Sequence, residues 1–203
     1  MTTFYLVRHG LTAHTGHKLT GWAAGVHLSE EGKDQGAAAA DHLAKVKLRA
    51  IYSSPIERTV ETARFIASRQ GLKVMVRAGL GEVHYGAWTG RSFKTLIKTK
   101  LWQQIQSFPS AARFPGGETL RETQARVLDE LDRIRKDYPK DAICLVTHAD
   151  VIRLVVAHYL GVHIDLFQRI IIDPASITVV SVSDHGPRVF HVNQIPVTSD
   201  SKT

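Results

Sequence analysis

The chain has 203 residues, of which 43% are apolar and 22% charged, proportions typical of a globular protein with one hydrophobic core. Its single cysteine, Cys144, excludes an intramolecular disulfide and suits a reducing compartment. No apolar run approaches the roughly 18 residues that span a bilayer, and no signal-peptide pattern precedes the first predicted strand. The sequence therefore predicts a soluble, cytoplasmic protein without a membrane partner.

The net charge of +7 and the pI of about 9.7 indicate attraction to anions, such as phosphorylated small molecules, nucleic acid or acidic membranes. Lysine and arginine are spread along the chain, often close to glutamate or aspartate. A solvated surface of mixed charge is therefore the simpler interpretation of the basic balance.

Strand-like and helix-like segments alternate along the chain, which predicts an α/β fold with a largely parallel sheet. In the first part, strands are predicted over Thr3–Val7, Ala50–Ser53 and Val74–Val76. Helices are predicted from a Ser29 cap to Val46, and from Pro55 to about Gln70 with Gly71 ending the helix.

The stretch from Gly79 to Gly117 is irregular, and one helix is predicted in it, around Ser92 to Gln106. The later predicted elements are a helix over Glu118–Tyr138, a strand over Ala142–Thr147, a helix over Asp150–Leu160, and a hairpin of Ile177–Val182 and Val189–Val192 with its turn at His185-Gly186-Pro187. We expect one domain over residues 1–196, followed by a flexible tail over 197–203.

Three of the predicted parallel strands end in polar or cationic residues. They are followed by Arg8-His9-Gly10, by Ser53-Ser54-Pro55 with Arg58 shortly after, and by Thr147-His148. Ligands bind beyond the carboxyl ends of parallel strands, where helix N-termini also present free N–H groups. If the three strands are neighbours, two arginines and two histidines surround one anion, which predicts a phosphate pocket containing an imidazole.

Four segments in this order, "LVRHGLT", "SSPIERTVETA", "GEVHYGAWTG" and "LVTHADVIR", resemble the histidine phosphatase superfamily, with the phosphoglycerate-mutase-like fold. The likeness extends over roughly residues 3 to 193. It implies a three-layer α/β fold, with helices on both faces of a mostly parallel central sheet.

The resemblance also implies residue roles. His9 is expected to be the nucleophile that forms a phosphohistidine, and Glu82 the proton donor to the leaving oxygen. Arg8 and Arg58 are expected to hold the phosphoryl oxygens, with His148 as a further donor that is cationic when phosphate is bound. Such a ring of cations can replace a metal, so neither a metal nor another cofactor is expected.

The chain departs from the family pattern at two places. Many members carry Asn six residues after the nucleophile, where this chain has Thr15, and Gly after the second histidine, where it has Ala149. Both residues are expected at the substrate phosphate. Asp150 is most simply a helix cap, with contact to substrate as the alternative.

A phosphatase acting on small phosphomonoesters is favoured over a phosphoglycerate-mutase-type enzyme. Family mutases carry a longer insert after the general acid with adjacent arginines, whereas 35 residues separate Glu82 from Glu118 here and no Arg-Arg pair occurs. Arg91, Lys94 and Lys98 are spaced to form a basic helix stripe that guides an anionic substrate, although a solvated face is the simpler interpretation.

Two other classes fit less well. A metal enzyme is suggested by His14 and His17, but no His-Glu-x-x-His or Cys/His ligand set occurs. A non-catalytic phosphate- or nucleic-acid-binding module fits the pI, but no recognised nucleic-acid motif is present, so no nucleic-acid partner is expected. The sequence leaves open the physiological substrate and the oligomeric state, for which a homodimer is one option.

Overall fold

The computed structural model describes residues 1–197. Its strands are β1 (Thr2–Arg8), β2 (Leu48–Ser53), β3 (Val74–Val76), β4 (Ala142–Thr147), β5 (Ile177–Ser183) and β6 (Gly186–Gln194). Its α-helices are α1 (Glu30–Leu43), α2 (Glu57–Gln70), α3 (Phe93–Leu96), α4 (Lys100–Ser107), α5 (Leu120–Asp137) and α6 (Ala149–Leu160). Short 3-10 helices cover Ala78–Leu80, Gly86–Trp88, Pro109–Ala111 and Ile164–Arg169.

The six strands form one mixed sheet in the order β3-β2-β4-β1-β5-β6. The first four strands in this order are parallel, β5 runs antiparallel to β1, and β6 runs antiparallel to β5. Strand β4 therefore lies between β2 and β1, and the carboxyl ends of all three meet at one edge. The predicted α/β class and largely parallel sheet are confirmed.

Each face of the sheet carries its own hydrophobic cluster. Phe4 and Leu6 of β1 point to the face covered by α5 and α6, where they pack with residues such as Leu131 and Val155. Val7 points to the opposite face, covered by α1 and α2. This alternation follows from the two-residue period of a strand, and it produces the three layers that were predicted.

Local signals in the sequence explain where several helices begin and end. Ser29 Oγ accepts a hydrogen bond from the Gly32 amide at 3.1 Å, which caps α1 as predicted. Gly71, with φ of 66°, ends α2 in the left-handed conformation that glycine tolerates. Thr119 and Glu122 form a reciprocal capping box at the start of α5.

Several predicted bounds were wrong in detail. The helix predicted from Pro55 begins at Glu57, with Ile56 as its N-cap, and the helix predicted to Val46 ends at Leu43. The single helix over 92–106 is divided into α3 and α4, because the Thr99 hydroxyl accepts from the Trp102 amide at 3.2 Å and begins a second helix. The hairpin strands are also longer than predicted, since Ser183 already pairs with Gly186 and leaves a two-residue turn. Pro187 is tolerated within β6 because β6 is an edge strand.

The buried thiol of Cys144 packs against the cluster under α1 and α2, as expected for a core cysteine. No helix within residues 1–197 is long and apolar enough to cross a membrane. Apart from Val197, the predicted flexible tail lies outside the described residues.

Candidate active site

The ends of β1, β4 and β2 place the predicted residues side by side. Arg8 pairs in register with Thr147, and the His9 amide donates to the Thr147 carbonyl at 3.0 Å. On the other side of β4, the Ser54 amide donates to the Val146 carbonyl at 3.0 Å. The loops that carry the polar side chains are therefore anchored to the sheet from their first residue.

His9 is buried, with 7% of its surface exposed, and both ring nitrogens have partners. Nδ1 lies 2.7 Å from the carbonyl oxygen of Gly10, to which it donates as Nδ1–H. The Nε2 lone pair accepts a hydrogen bond from Arg58 Nε at 3.1 Å. Burial, followed by the charges of Arg58 and Arg8, lowers the pKa of His9 well below its usual value. The ring is therefore neutral near pH 7, with its proton on Nδ1 and its lone pair on Nε2.

Arg8 and Arg58 supply hydrogen-bond donors that have no acceptor among the described residues. Arg58 Nη2 donates to the Gly21 carbonyl at 2.9 Å, but the buried Nη1 has no partner within residues 1–197. Arg8 Nη1 donates to the Ile172 carbonyl at 2.7 Å, while its buried Nε is likewise unpaired in this part of the chain. Burial lowers the pKa of both guanidinium groups. A bound anion would satisfy these donors and offset the buried charge. We call these two side chains the arginine cradle.

His148 is fully buried between the cradle and β2. Its Nε2 lies 2.9 Å from Ser54 Oγ, and its Nδ1 accepts from Arg58 Nη2 at 3.2 Å. Its ring is packed edge-on against that of His9, with centroids 5.3 Å apart. Burial, then the charge of Arg58, lowers the pKa of His148 well below its usual value. His148 is thus neutral here, and donation from Nδ1 would require a proton that a bound phosphate dianion favours.

Glu82 reaches the same site from the loop between β3 and α3. Its Oε1 accepts from the Val83 amide at 3.0 Å, and its Oε2 lies 3.7 Å from His148 Nδ1. The pKa of Glu82 is raised to about 7, chiefly by burial and then by the nearby carboxylate of Asp150. A carboxyl group with this pKa can donate a proton at neutral pH without a bound phosphate to raise it.

A cavity of about 450 Å³ opens above the arginine cradle. Thr15 and Ala149 both line it, and their contact with a substrate phosphate stays a prediction. Thr15 Oγ1 also accepts from the Thr12 amide at 3.1 Å, which closes a tight turn at the cavity edge.

Asp150 also lines the cavity, but the prediction that it caps a helix was wrong. His148 occupies the N-cap position of α6, and the carboxylate of Asp150 instead accepts from Tyr85 Oη and Arg153 Nη1, both at 2.9 Å.

The three residues considered for a basic stripe lie outside the cavity, in agreement with the solvated face that was the simpler interpretation. Arg91, Lys94 and Lys98 are exposed, and none of these three described residues lines it. They also fail to share one helix, because Arg91 precedes α3 and Lys98 lies between α3 and α4. Within residues 1–197, no three His, Cys, Asp or Glu side chains, including those of His14 and His17, are grouped closely enough to hold a metal ion.

With this geometry in place, comparison with known proteins identifies the family. Residues 4–195 match the model of the histidine phosphatase superfamily, branch 1. The chain belongs to this superfamily.

Relatives of this member of the superfamily include a named phosphatase and a longer bifunctional protein. Phosphoserine phosphatase 1 of Hydrogenobacter thermophilus is 29% identical over 168 residues, which are 82% of this chain and 80% of the relative. The bifunctional protein Rv2228c of Mycobacterium tuberculosis is 30% identical over 95% of this chain, but this region is only 54% of that longer protein. The family and these relatives support phosphatase or phosphomutase activity.

Solved structures agree on the fold. A mycobacterial glucosyl-3-phosphoglycerate phosphatase superposes with a TM-score of 0.85 at 25% identity, covering 95% of this chain and 98% of that one. The protein YhfR of Bacillus stearothermophilus superposes with a TM-score of 0.91 at 24% identity, covering 96% and 98%. The predicted phosphoglycerate-mutase-like architecture is thereby confirmed.

Two residues that fix the loop of Glu82 were not predicted. Arg126 donates to the carbonyls of Gly79, Gly81 and Glu82 at 2.9, 3.1 and 3.2 Å, and so fixes the loop that carries Glu82. Trp22 donates from Nε1 to the Glu82 carbonyl at 2.7 Å. Neither residue carries a local sequence signal, because Arg126 lies within an ordinary amphipathic helix and Trp22 in a loop.

Proposed function

We propose that this chain is a metal-independent phosphatase of small phosphomonoesters that acts through a phosphohistidine on His9, with Glu82 as proton donor. One observation carries the proposal: a neutral, buried imidazole, with its Nε2 lone pair facing Arg58, lies beside the buried and unpaired donors Arg58 Nη1 and Arg8 Nε. Phosphoryl transfer mainly requires such positioning and charge neutralisation. We further propose that residues 1–196 form one catalytic domain.

In the first step, the substrate phosphoryl group occupies the arginine cradle, and its oxygens take the unpaired N–H groups of Arg8 and Arg58. As the phosphoryl group enters, Arg58 Nε–H turns from His9 Nε2 to a phosphoryl oxygen and frees the lone pair. His9 Nε2 then attacks phosphorus as the bond to the leaving oxygen breaks, and that oxygen takes the proton of the Glu82 carboxyl group. The Nδ1–H bond to the Gly10 carbonyl holds the ring in the required tautomer and stabilises the positive charge that develops on it.

In the second step, water attacks the phosphohistidine and transfers a proton to the Glu82 carboxylate. The P–N bond breaks, its electron pair returns to His9 Nε2, and inorganic phosphate leaves. Glu82 is thus acid in one half-reaction and base in the other, which its pKa of about 7 permits.

The test is phosphate release together with trapping of the intermediate. Wild-type protein should hydrolyse 4-nitrophenyl phosphate in EDTA, and after denaturation in alkali it should retain an acid-labile phosphoryl label. The His9→Ala variant should lose both signals, whereas His17→Ala, which changes an exposed histidine, should keep them. EDTA-sensitive hydrolysis, or a label that survives in His9→Ala, would refute the mechanism.

A phosphomutase is the second candidate, because the Arabidopsis thaliana phosphoglycerate mutase-like protein 4 is 31% identical over 73% of this chain and 66% of its own length. A mutase would share the phosphohistidine but pass the phosphoryl group to a second substrate hydroxyl rather than to water. Interconversion of phosphoglycerates that depends on a bisphosphate primer, with negligible phosphate release, would favour this candidate. The phosphoserine and glucosyl-3-phosphoglycerate activities in the relatives' names leave the substrate of this chain open.

A further inference from the structure

The cavity above the arginine cradle has an aromatic wall. Five aromatic side chains line it, from the segment after Glu82 through α3 and α4 to the loop before α5: Tyr85, Trp88, Phe93, Trp102 and Phe114. They contact one another in a continuous chain, in which Phe114 lies 4.9 Å from Tyr85 and 5.6 Å from Trp88 between ring centroids. Trp102 extends the chain, at 6.3 Å from Trp88 and 5.7 Å from Phe93. We call these five residues the aromatic wall.

Only part of the aromatic wall is buried in the hydrophobic core. Trp88 and Phe114 are 5% and 4% exposed and pack with the cluster that contains Leu96 and Leu154. Phe93 and Trp102 are only half-buried and pack against the outside of that cluster. Because both residues line the cavity, their remaining ring surface is available to a bound molecule.

The charges on the cavity wall do not favour a second anionic group in the ligand. Beyond the cradle, its cationic side chains among the described residues are Arg153 and Lys18. Arg153 is already engaged, since Nη1 donates to Asp150 Oδ1 and Nε donates to the Ile170 carbonyl, both at 2.9 Å. Among the described residues of this lining outside the cradle, the exposed Lys18 is therefore the one cation whose side chain has no carboxylate or carbonyl partner. A substrate carboxylate next to the phosphate ester would therefore add little to the free energy of binding in this cavity.

The volume also exceeds what a phosphoryl group requires. A cavity of about 450 Å³ lies within the range of sites that bind whole small molecules, which are usually lined by apolar and aromatic side chains with a few polar groups. We propose, on the basis of the phosphatase function above, that the substrates are phosphate esters whose leaving alcohol carries an apolar planar ring. The ring packs against Phe93 and Trp102 while the phosphoryl group occupies the cradle.

Three esters test this substrate class: ethyl phosphate, 2-phenylethyl phosphate and phosphoserine. The first two have leaving alcohols of similar acidity, so a difference between them reports ring binding rather than leaving-group chemistry. We expect kcat/KM for 2-phenylethyl phosphate to exceed that for each of the other two by at least about tenfold, equivalent to about 1.4 kcal/mol. Equal values for the two uncharged alcohols, or a preference for phosphoserine that disappears in Lys18→Gln, would overturn the inference.

Two variants test whether the aromatic wall causes the preference for 2-phenylethyl phosphate. In Trp102→Ala, the ratio of kcat/KM for 2-phenylethyl phosphate to that for ethyl phosphate should fall at least fivefold. The matched control is Phe65→Ala, which removes a half-buried ring on α2 that does not line the cavity, and there the ratio should stay at the wild-type value. An unchanged ratio in a folded Trp102→Ala protein would contradict the role of the aromatic wall.

Binding of unreactive phosphonates to the wild-type protein separates this inference from the phosphatase proposal and requires no variant to fold. Calorimetry should give a dissociation constant at least tenfold lower for 2-phenylethylphosphonate than for ethylphosphonate. If no ester is hydrolysed but this difference is found, the phosphatase proposal fails and the ring-binding wall stands. If hydrolysis occurs but the two phosphonates bind equally, the phosphatase proposal stands and the substrate class is wrong.

Discussion

Glu82 Oε2 lies 3.7 Å from His148 Nδ1, yet the two side chains do not form an ordinary ion pair. Burial raises the pKa of Glu82 to about 7 and lowers the pKa of His148 well below its usual value. Near pH 7, His148 is therefore neutral and a large fraction of Glu82 is protonated. The pair holds a transferable proton on the carboxyl group, next to the position expected for the leaving oxygen.

The first prediction concerns the pH dependence of this proton. Because the acid form of Glu82 is the active one in the first step, kcat/KM for an alkyl phosphate should fall as pH rises above about 7. The Glu82→Gln variant should lose this basic limb, and its kcat for ethyl phosphate should drop by about 10²–10⁴-fold, with a smaller loss for 4-nitrophenyl phosphate. Equal losses for both esters would remove the proton-donor role.

Asp150 provides a second, independent test of the same group. Its carboxylate raises the pKa of Glu82, so Asp150→Asn should lower that pKa and move the basic limb of kcat/KM to lower pH. Asn keeps an oxygen that can accept from Tyr85 Oη, which limits structural change. The measurement is the full pH profile of kcat/KM for ethyl phosphate, and a limb that moves upward or stays in place would contradict the electrostatic coupling.

A third prediction concerns Arg58, which is buried with one unpaired N–H group. Arg58→Lys keeps the charge but loses the fork of donors, so kcat should fall by about 10²–10³-fold, the usual loss for one transition-state donor. Inorganic phosphate should raise the melting temperature of the wild type because it binds only the folded state, and this shift should shrink in Arg58→Lys. Arg64→Lys, an exposed change on the same helix, is the control and should behave as the wild type in both assays.

Much of the site was predictable because its residues occur in short motifs at strand ends. His9, Arg58 and His148 each follow a recognisable apolar strand, and parallel strands place their carboxyl ends at one edge. What could not be predicted depends on contacts distant in sequence. Arg126 is 44 residues from the Glu82 carbonyl that it binds, and nothing near Arg126 indicates this partner.

The helix break between α3 and α4 shows a different limit. Thr99 is compatible with a continuous helix by its sequence context, but it becomes an N-cap once the following residues pack Trp102 towards Trp88 and Phe93. Tertiary packing therefore overrides a weak local preference. The same break separates Arg91, Lys94 and Lys98, for which a solvated face was already the simpler interpretation, and it orients part of the aromatic wall.

The fourth prediction tests Arg126 as a positioning residue for Glu82. It binds three carbonyls of the loop and pairs with Glu118 at 2.9 Å. Arg126→Gln should lower the free energy of unfolding by about 2–4 kcal/mol, because a partly buried carboxylate and several carbonyls lose their partner. The loss in kcat should be larger for ethyl phosphate than for 4-nitrophenyl phosphate, which a purely structural role would not produce. Arg113→Gln, which removes an exposed ion pair with Glu122, should change little.

The fifth prediction concerns Gly10, whose carbonyl orients the His9 ring. A Cβ atom at Gly10 would lie 2.3 Å from the carbonyl oxygen of Gly32 in α1, so the requirement for glycine is close backbone packing. Gly10→Ala must separate β1 from α1, which should destabilise the fold by about 1–3 kcal/mol or more and lower kcat by displacing the Gly10 carbonyl.

The control for Gly10→Ala is Gly36→Ala, because Gly36 lies in α1, the helix whose Gly32 carbonyl contacts Gly10. A Cβ there would lie 2.9 Å from Phe65 Cδ2, but this contact is with a side chain that can rotate, and alanine favours the helix by about 0.5–1 kcal/mol. Gly36→Ala should therefore show little loss in urea unfolding and unchanged turnover. If Gly10→Ala were equally stable and active, the close backbone contact with α1 would not be what holds the carbonyl of residue 10 against the His9 ring.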